Sequence, residues 1–90
     1  MRSYTCIVEG KVAGTNFQSW VQDLANQLGL TGWVRNIADR KAEVLVQGEA
    51  EAYAVFREKL KTEAPVIDLV DVTCNAIDYD TEHKDFAIRG

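Results

Sequence analysis

The chain has few of the residues from which metal centres, disulfide scaffolds and membrane spans are built. It holds one histidine, His83, and two cysteines, Cys6 and Cys74, with no Cys-x-x-Cys pair. No tetrahedral zinc set is expected from that inventory. A single proline, Pro65, and the lack of any Pro- or Ser-rich tract leave nothing that reads as a linker, so residues 1–90 are expected to form one domain. No apolar run approaches the length of a membrane span, and Met1-Arg2-Ser3-Tyr4-Thr5-Cys6 carries no apolar signal core. The expected location is cytoplasmic, and there the two cysteines are expected as free thiols. Positive charge is also scarce: ten Lys and Arg stand against fourteen Asp and Glu, for a net charge of −4. An acidic chain without a basic cluster argues against nucleic-acid binding and against an anionic membrane surface.

What is present is the composition of an ordinary globular protein, 47% hydrophobic and 27% charged. A chain of this length buries only part of its surface, which keeps its stability margin modest. Residues Tyr4 to Val12 are rich in β-branched and aromatic side chains and read as a strand. Phe17, Trp20, Val21, Leu24 and Leu28 then recur at helical spacing, with Gly29 placed to end the helix. Gly32 to Ile37 and Ala42 to Gln47 read as two strands joined through Ala38-Asp39-Arg40-Lys41 in a hairpin. Ala52, Val55, Phe56 and Leu60 mark a second helix, acidic at its start (Glu49, Glu51) and basic at its end (Arg57, Lys59, Lys61), as the helix dipole favours. After Pro65 a strand runs from Val66 to Cys74, and Phe86-Ala87-Ile88 forms a short last one. This order predicts an α+β, ferredoxin-like βαββαβ fold: an antiparallel sheet with both helices on one face and a small strand appended. Right-handed crossovers put the first and third strands side by side in the middle of the sheet.

The turn between the first strand and the first helix reads Gly10-Lys11-Val12-Ala13-Gly14-Thr15-Asn16-Phe17-Gln18. Its two glycines permit a tight turn and a close approach to a ligand. The helix that follows aims its free amides and positive dipole end into the same turn, which is the make-up of an anion site. The same residues also fit a plain capping box, Thr15 followed three residues later by Gln18.

Several motifs together decide how that turn is read. It resembles the phosphate loop of the acylphosphatases, G-x-V-Q-G-V-x-F-R. Gly32-Trp33-Val34-Arg35-Asn36 resembles the family's second motif, G-W-V-[KR]-N, at all five positions. Glu43 to Gly48 resembles the family's third strand with its closing glycine, and Asp85 to Arg89 the C-terminal F-x-I-R. The similarity covers nearly the whole chain.

The resemblance implies hydrolysis of acyl phosphates to a carboxylate and phosphate, without metal or cofactor, by a monomer. It implies a phosphate-binding loop of Ala13, Gly14, Thr15, Asn16, Phe17 and Gln18, with Asn36 orienting the attacking water. The ligand expected is a phosphate, sulfate or acyl phosphate anion. The chain departs from the family pattern at Gln18, which stands where the family has its phosphate-binding, catalytic arginine. Ala13 stands in place of the family glutamine, Thr15 in place of a valine, and Asp39-Arg40 in place of Asp-Gly in the hairpin. A glutamine carries neither the permanent charge nor the planar fork that match phosphate oxygens. Catalysis is therefore expected to be strongly impaired or absent, with the anion pocket retained. Two alternatives remain open: an active acylphosphatase that uses a rearranged cation, and a non-enzymatic module that binds a ligand or a protein.

Lys11, Arg35 and Arg40 are the candidate substitute cations. Arg35 alternates with Asn36 along a strand and is expected on the other face. Trp20 is expected to pack the first helix on the sheet, and Trp33 to be partly exposed. Cys6 and Cys74 fall on neighbouring strands, where buried thiols are favoured over a disulfide. His83 is expected in a surface loop. Asp68 and Asp71 fall out of step on one strand, which excludes a paired carboxylate site. An RNA-recognition module shares the topology, but the first and third strands lack its aromatic and basic signature. A metal chaperone of this topology needs a cysteine pair in the first loop, and none is there.

Overall fold

The computed structural model describes residues 2–90. Its elements are β1 (Arg2–Lys11), α1 (Phe17–Gln27), β2 (Thr31–Ala38), β3 (Lys41–Gly48), α2 (Ala50–Thr62), β4 (Ile67–Ile77) and β5 (Phe86–Ile88). The five strands form one sheet in the order β4-β1-β3-β2-β5. The four long strands pair antiparallel, and β5 adds parallel to β2 at the edge. This is the ferredoxin-like α+β architecture with an extra C-terminal strand, and β1 and β3 lie centrally as the crossover rule requires.

Alternation along the strands sorts the side chains into two faces. Tyr4, Cys6 and Val8 of β1, Ala42, Val44 and Val46 of β3, and Val34 of β2 point to the helices and are buried. Phe17, Val21, Leu24 and Ala25 of α1 and Tyr53, Phe56 and Leu60 of α2 close the core against them. The Tyr4 and Tyr53 rings stack with centroids 3.6 Å apart and planes within 2°, fixing α2 over β1. Trp20 packs against the edge of this core. The Nε2 amide of Gln22 donates to the Phe86 carbonyl oxygen at 2.9 Å, which ties α1 to the appended strand.

The opposite face is also partly covered. Leu45, Gln47 and Ser3 on it are buried, and so is Trp33, at 7% exposure where partial exposure was expected. Two guanidinium groups explain the difference. Arg35 and Arg89 lie over the Trp33 ring at 5.0 and 5.3 Å from its centroid, a favourable placement of cations on an indole face. Gln47 is bound to the segment between β4 and β5: its Nε2 donates to the Ser3 hydroxyl and to the Thr81 carbonyl, and its Oε1 accepts from the His83 amide. That segment crosses between the two edges of the sheet, and His83, half-buried there, has its Nε2 3.2 Å from the Tyr79 hydroxyl.

Cys6 and Cys74 form a disulfide, against the expectation of free thiols. Register is the reason. Cys6 of β1 faces Cys74 of β4 directly across the ladder, with the Cα atoms 4.0 Å apart. Periodicity gives the strands but not which residues oppose one another, so the pairing was not readable from spacing.

Candidate active site

The site is built at one end of the sheet. Val8, Ala42, Asn36 and Val72 share one row across β1, β3, β2 and β4, which is the last four-strand row on the helix-facing side before β1 runs out into the loop of residues 12–16. Because that row faces the helices, Asn36 lies on the same face and at the same end as the start of α1. Arg35, one residue earlier, faces the other way. Its guanidinium is bound to Glu43, with Nη2 2.7 Å and Nε 3.0 Å from Oε1.

The loop reaches α1 by a specific set of bonds. The Gly10 and Ala13 amides donate to the Arg40 and Asp39 carbonyl oxygens at 3.0 and 3.4 Å, tying both ends of the loop's first half to the hairpin tip. Gly14 has φ 73, a left-handed conformation that a Cβ disfavours. The Thr15 hydroxyl donates to the Val12 carbonyl at 3.1 Å and accepts from the Phe17 amide at 3.2 Å. The capping box is not formed: Asn16 is the N-cap, it makes no side-chain cap bond, and Thr15 serves Phe17 instead of Gln18. Two of the six loop amides are therefore engaged, those of Ala13 and Phe17. Among the described residues the amides of Gly14, Thr15, Asn16 and Gln18 have no intramolecular acceptor, and the latter belong to the first turn of a helix, whose amides lack intrahelical partners.

Two side chains stand out at this end. The Gln18 Nε2 and the Asn36 Oδ1 are both shielded from solvent and both lack a hydrogen-bond partner. The Thr31 hydroxyl and the Trp33 indole N–H share that state elsewhere in the sheet; an unpaired buried amide group costs about 1–3 kcal/mol, and Gln18 and Asn36 are the two carboxamides so placed. One offers a donor and the other an acceptor.

A cleft of about 560 Å³ opens beside the loop, lined by Lys11, Ala13, Gly14, Asp39, Arg40 and Asp68. Gln18 and Asn36 are not among its walls. Lys11 and Arg40, two of the three candidate cations, are thus beside the loop, whereas Arg35 is taken by Glu43. Asp39 and Asp68 join them without any local signal. Asp68 leaves the strand conformation for φ 55, at a register shift of β4 against β1 between Glu9 and Lys11.

Comparison with known proteins bears on the whole chain. The family model for acylphosphatase matches residues 4–88. An acylphosphatase of Nitrosococcus oceani is 36% identical over 73 residues, 81% of this chain and 82% of that one. One from Bacillus pumilus is 30% identical over 90 residues and covers both chains fully. Among solved structures, the acylphosphatase from Bacillus subtilis superposes with a TM-score of 0.90 at 32% identity, again over the full length of both chains.

Proposed function

The chain belongs to the acylphosphatase family, and on that premise we propose that it binds acyl phosphates at the β1–α1 loop but hydrolyses them weakly or not at all. The observation that carries this reading is the pair of shielded, unpartnered groups, the Gln18 Nε2 donor and the Asn36 Oδ1 acceptor, beside the free amides of the loop.

The roles follow from the chemistry of the bond. In acyl phosphate hydrolysis a water oxygen forms a new bond to phosphorus while the bond from phosphorus to the acyl oxygen breaks. The carboxylate leaves with the bonding pair, and the proton released by the water passes to phosphate or solvent. The free amides of Gly14, Thr15, Asn16 and Gln18 would hold the phosphoryl oxygens, helped by the dipole of α1. Asn36 Oδ1 would accept a hydrogen bond from the attacking water and aim its lone pair at phosphorus. Gln18 Nε2 would donate one neutral hydrogen bond to the phosphoryl group.

That neutral bond is the weak point. Phosphoryl transfer is accelerated almost wholly by positioning and by charge stabilisation. Removing one preorganised stabilising donor typically costs about 3–4 kcal/mol, or roughly 10²–10³ in rate. Replacing the family's guanidinium by a carboxamide keeps one donor and removes the charge. In this reading the protein is a monomer whose ligand is an acyl phosphate or the phosphate anion itself.

Gln18→Arg is the decisive variant. With benzoyl phosphate as substrate, kcat/KM is expected to rise roughly 10²–10³-fold over the unaltered chain. Hydrolysis by the unaltered chain at an ordinary enzyme rate, about 10 s⁻¹, would overturn the claim of impairment. Titration with inorganic phosphate tests the pocket separately. Shifts of the Gly14, Thr15, Asn16 and Gln18 amide resonances are expected, and no response at tens of millimolar phosphate would refute the loop assignment.

A further inference from the structure

We propose that the cleft lined by Lys11, Ala13, Gly14, Asp39, Arg40 and Asp68 is the acyl-side subsite, and that it selects acyl phosphates whose acyl part carries both an ammonium and a carboxylate. An amino acid phosphorylated on its side-chain carboxyl has that character. The assignment rests on the reading above, in which the adjoining loop holds the phosphoryl group.

Contiguity comes first. In an acyl phosphate a single oxygen joins the phosphoryl group to the acyl carbon, so the acyl part must lie directly beside the phosphate cradle. Ala13 and Gly14 belong both to the loop and to the cleft wall. A volume of about 560 Å³ falls in the range of small-molecule sites.

Charge selects the ligand. The walls carry two cations, Lys11 and Arg40, and two carboxylates, Asp39 and Asp68. None of the four takes part in an ion pair among the described residues, although other surface charges do: Arg35 with Glu43, Lys41 with Glu9, Lys59 with Glu63. A second phosphate would meet two carboxylates there. A purely apolar acyl chain would meet no large apolar side chain. A ligand bearing one charge of each sign satisfies both pairs.

The backbone positions of the residues that carry these charges are fixed. The hairpin tip that carries Asp39 and Arg40 is bonded to Gly10 and Ala13 through its own carbonyls. Asp68 is the one non-glycine residue among those described with positive φ, and an aspartate tolerates that region better than most residues. Gly10 makes the approach possible. A Cβ there would lie 2.5 Å from Val66 Cγ1, 3.0 Å from Leu69 Cα and 3.2 Å from the Asp68 carbonyl oxygen. The start of β4 thus crosses close over β1 and brings Asp68 to the cleft.

The test uses the unaltered chain, isotope-labelled, with phosphate present. L-glutamate is titrated beside glutarate, which lacks the ammonium, and 4-aminobutyrate, which lacks the α-carboxylate. Glutamate is expected to shift the Gly14, Arg40 and Asp68 amides and to bind roughly two- to fivefold tighter than either analogue, the size of one exposed charge contact. Asp68→Asn keeps a side chain suited to positive φ; it is expected to retain its melting temperature and its phosphate response while losing the preference over glutarate. Equal binding of the three compounds, or glutamate shifts confined to other surfaces, would overturn the proposal and leave the phosphate-loop reading standing. A glutamate response without any phosphate response would overturn the loop reading, and the acyl-side assignment with it.

Discussion

Single atoms carry the functional question. Gln18 Nε2 and Asn36 Oδ1 are shielded without partners at the same end of the sheet, while a third carboxamide, Gln47, is buried to 2% exposure with three partners. The contrast separates the two groups assigned to ligand binding in the proposal above from a structural pin. Asn36→Ala introduced into the Gln18→Arg chain is expected to cancel most of the gained activity, lowering kcat roughly 10²-fold with a small change in KM, because an oriented water acts in the transition state. Gln47→Ala leaves the Ser3 hydroxyl, the Thr81 carbonyl and the His83 amide without their partner. A loss of about 2–3 kcal/mol is expected by chemical denaturation. Faster amide exchange at His83, with little change at Gly14, would show that the loss is local.

At the level of elements, the loop from β1 to α1 is shaped by a strand pair that lies far from it in sequence. The hairpin tip between β2 and β3 accepts the Gly10 and Ala13 amides, and the start of β4 occupies the space a Gly10 side chain would need. Gly10→Ala must therefore push Val66, Leu69 or Asp68 aside. A destabilisation of about 1–3 kcal/mol is expected, the usual cost of overpacking a fitted contact. Thermal unfolding measures it, and amide shifts at Asp68 and Arg40 locate it. Helix α1 and its start at Phe17 were legible from Phe17, Val21 and Leu24, but its capping was not. Thr15 and Gln18 have the form of a capping box, yet Thr15 bonds back to Val12 and on to Phe17, leaving Gln18 free of a capping role.

For the whole molecule, the Cys6–Cys74 bond joins the central strand β1 to the edge strand β4 across a sequence separation of 68. A cross-link that closes so long a loop restricts the unfolded chain, with a typical effect of about 2–4 kcal/mol. In a domain of this size each kcal/mol moves Tm by roughly 4–8 °C. Reduction, or the Cys6→Ala/Cys74→Ala pair, is thus expected to lower Tm by roughly 10–25 °C. An unchanged Tm after reduction would remove the bond from any account of stability. No helix among the described residues is long and apolar enough to cross a membrane.

The sequence by itself determined the succession of elements, the central place of β1 and β3, and the family, while the parallel seat of β5 beside β2 came from the tertiary structure. The first three rest on local periodicity and on short motifs such as Gly32 to Asn36, which act within a few residues. It also brought Gln18 and Asn36 to notice as a pair. Only the tertiary structure decided that Cys74 faces Cys6, that two arginines cover Trp33, that Gln47 holds the crossing segment, and that Asp39 and Asp68 meet Lys11 and Arg40 beside the loop. Apart from the Trp33–Arg35 contact, each of these joins residues distant along the chain. A shift of one residue in strand register would turn every such side chain to the opposite face, and register is set by the packing of the whole sheet against its helices.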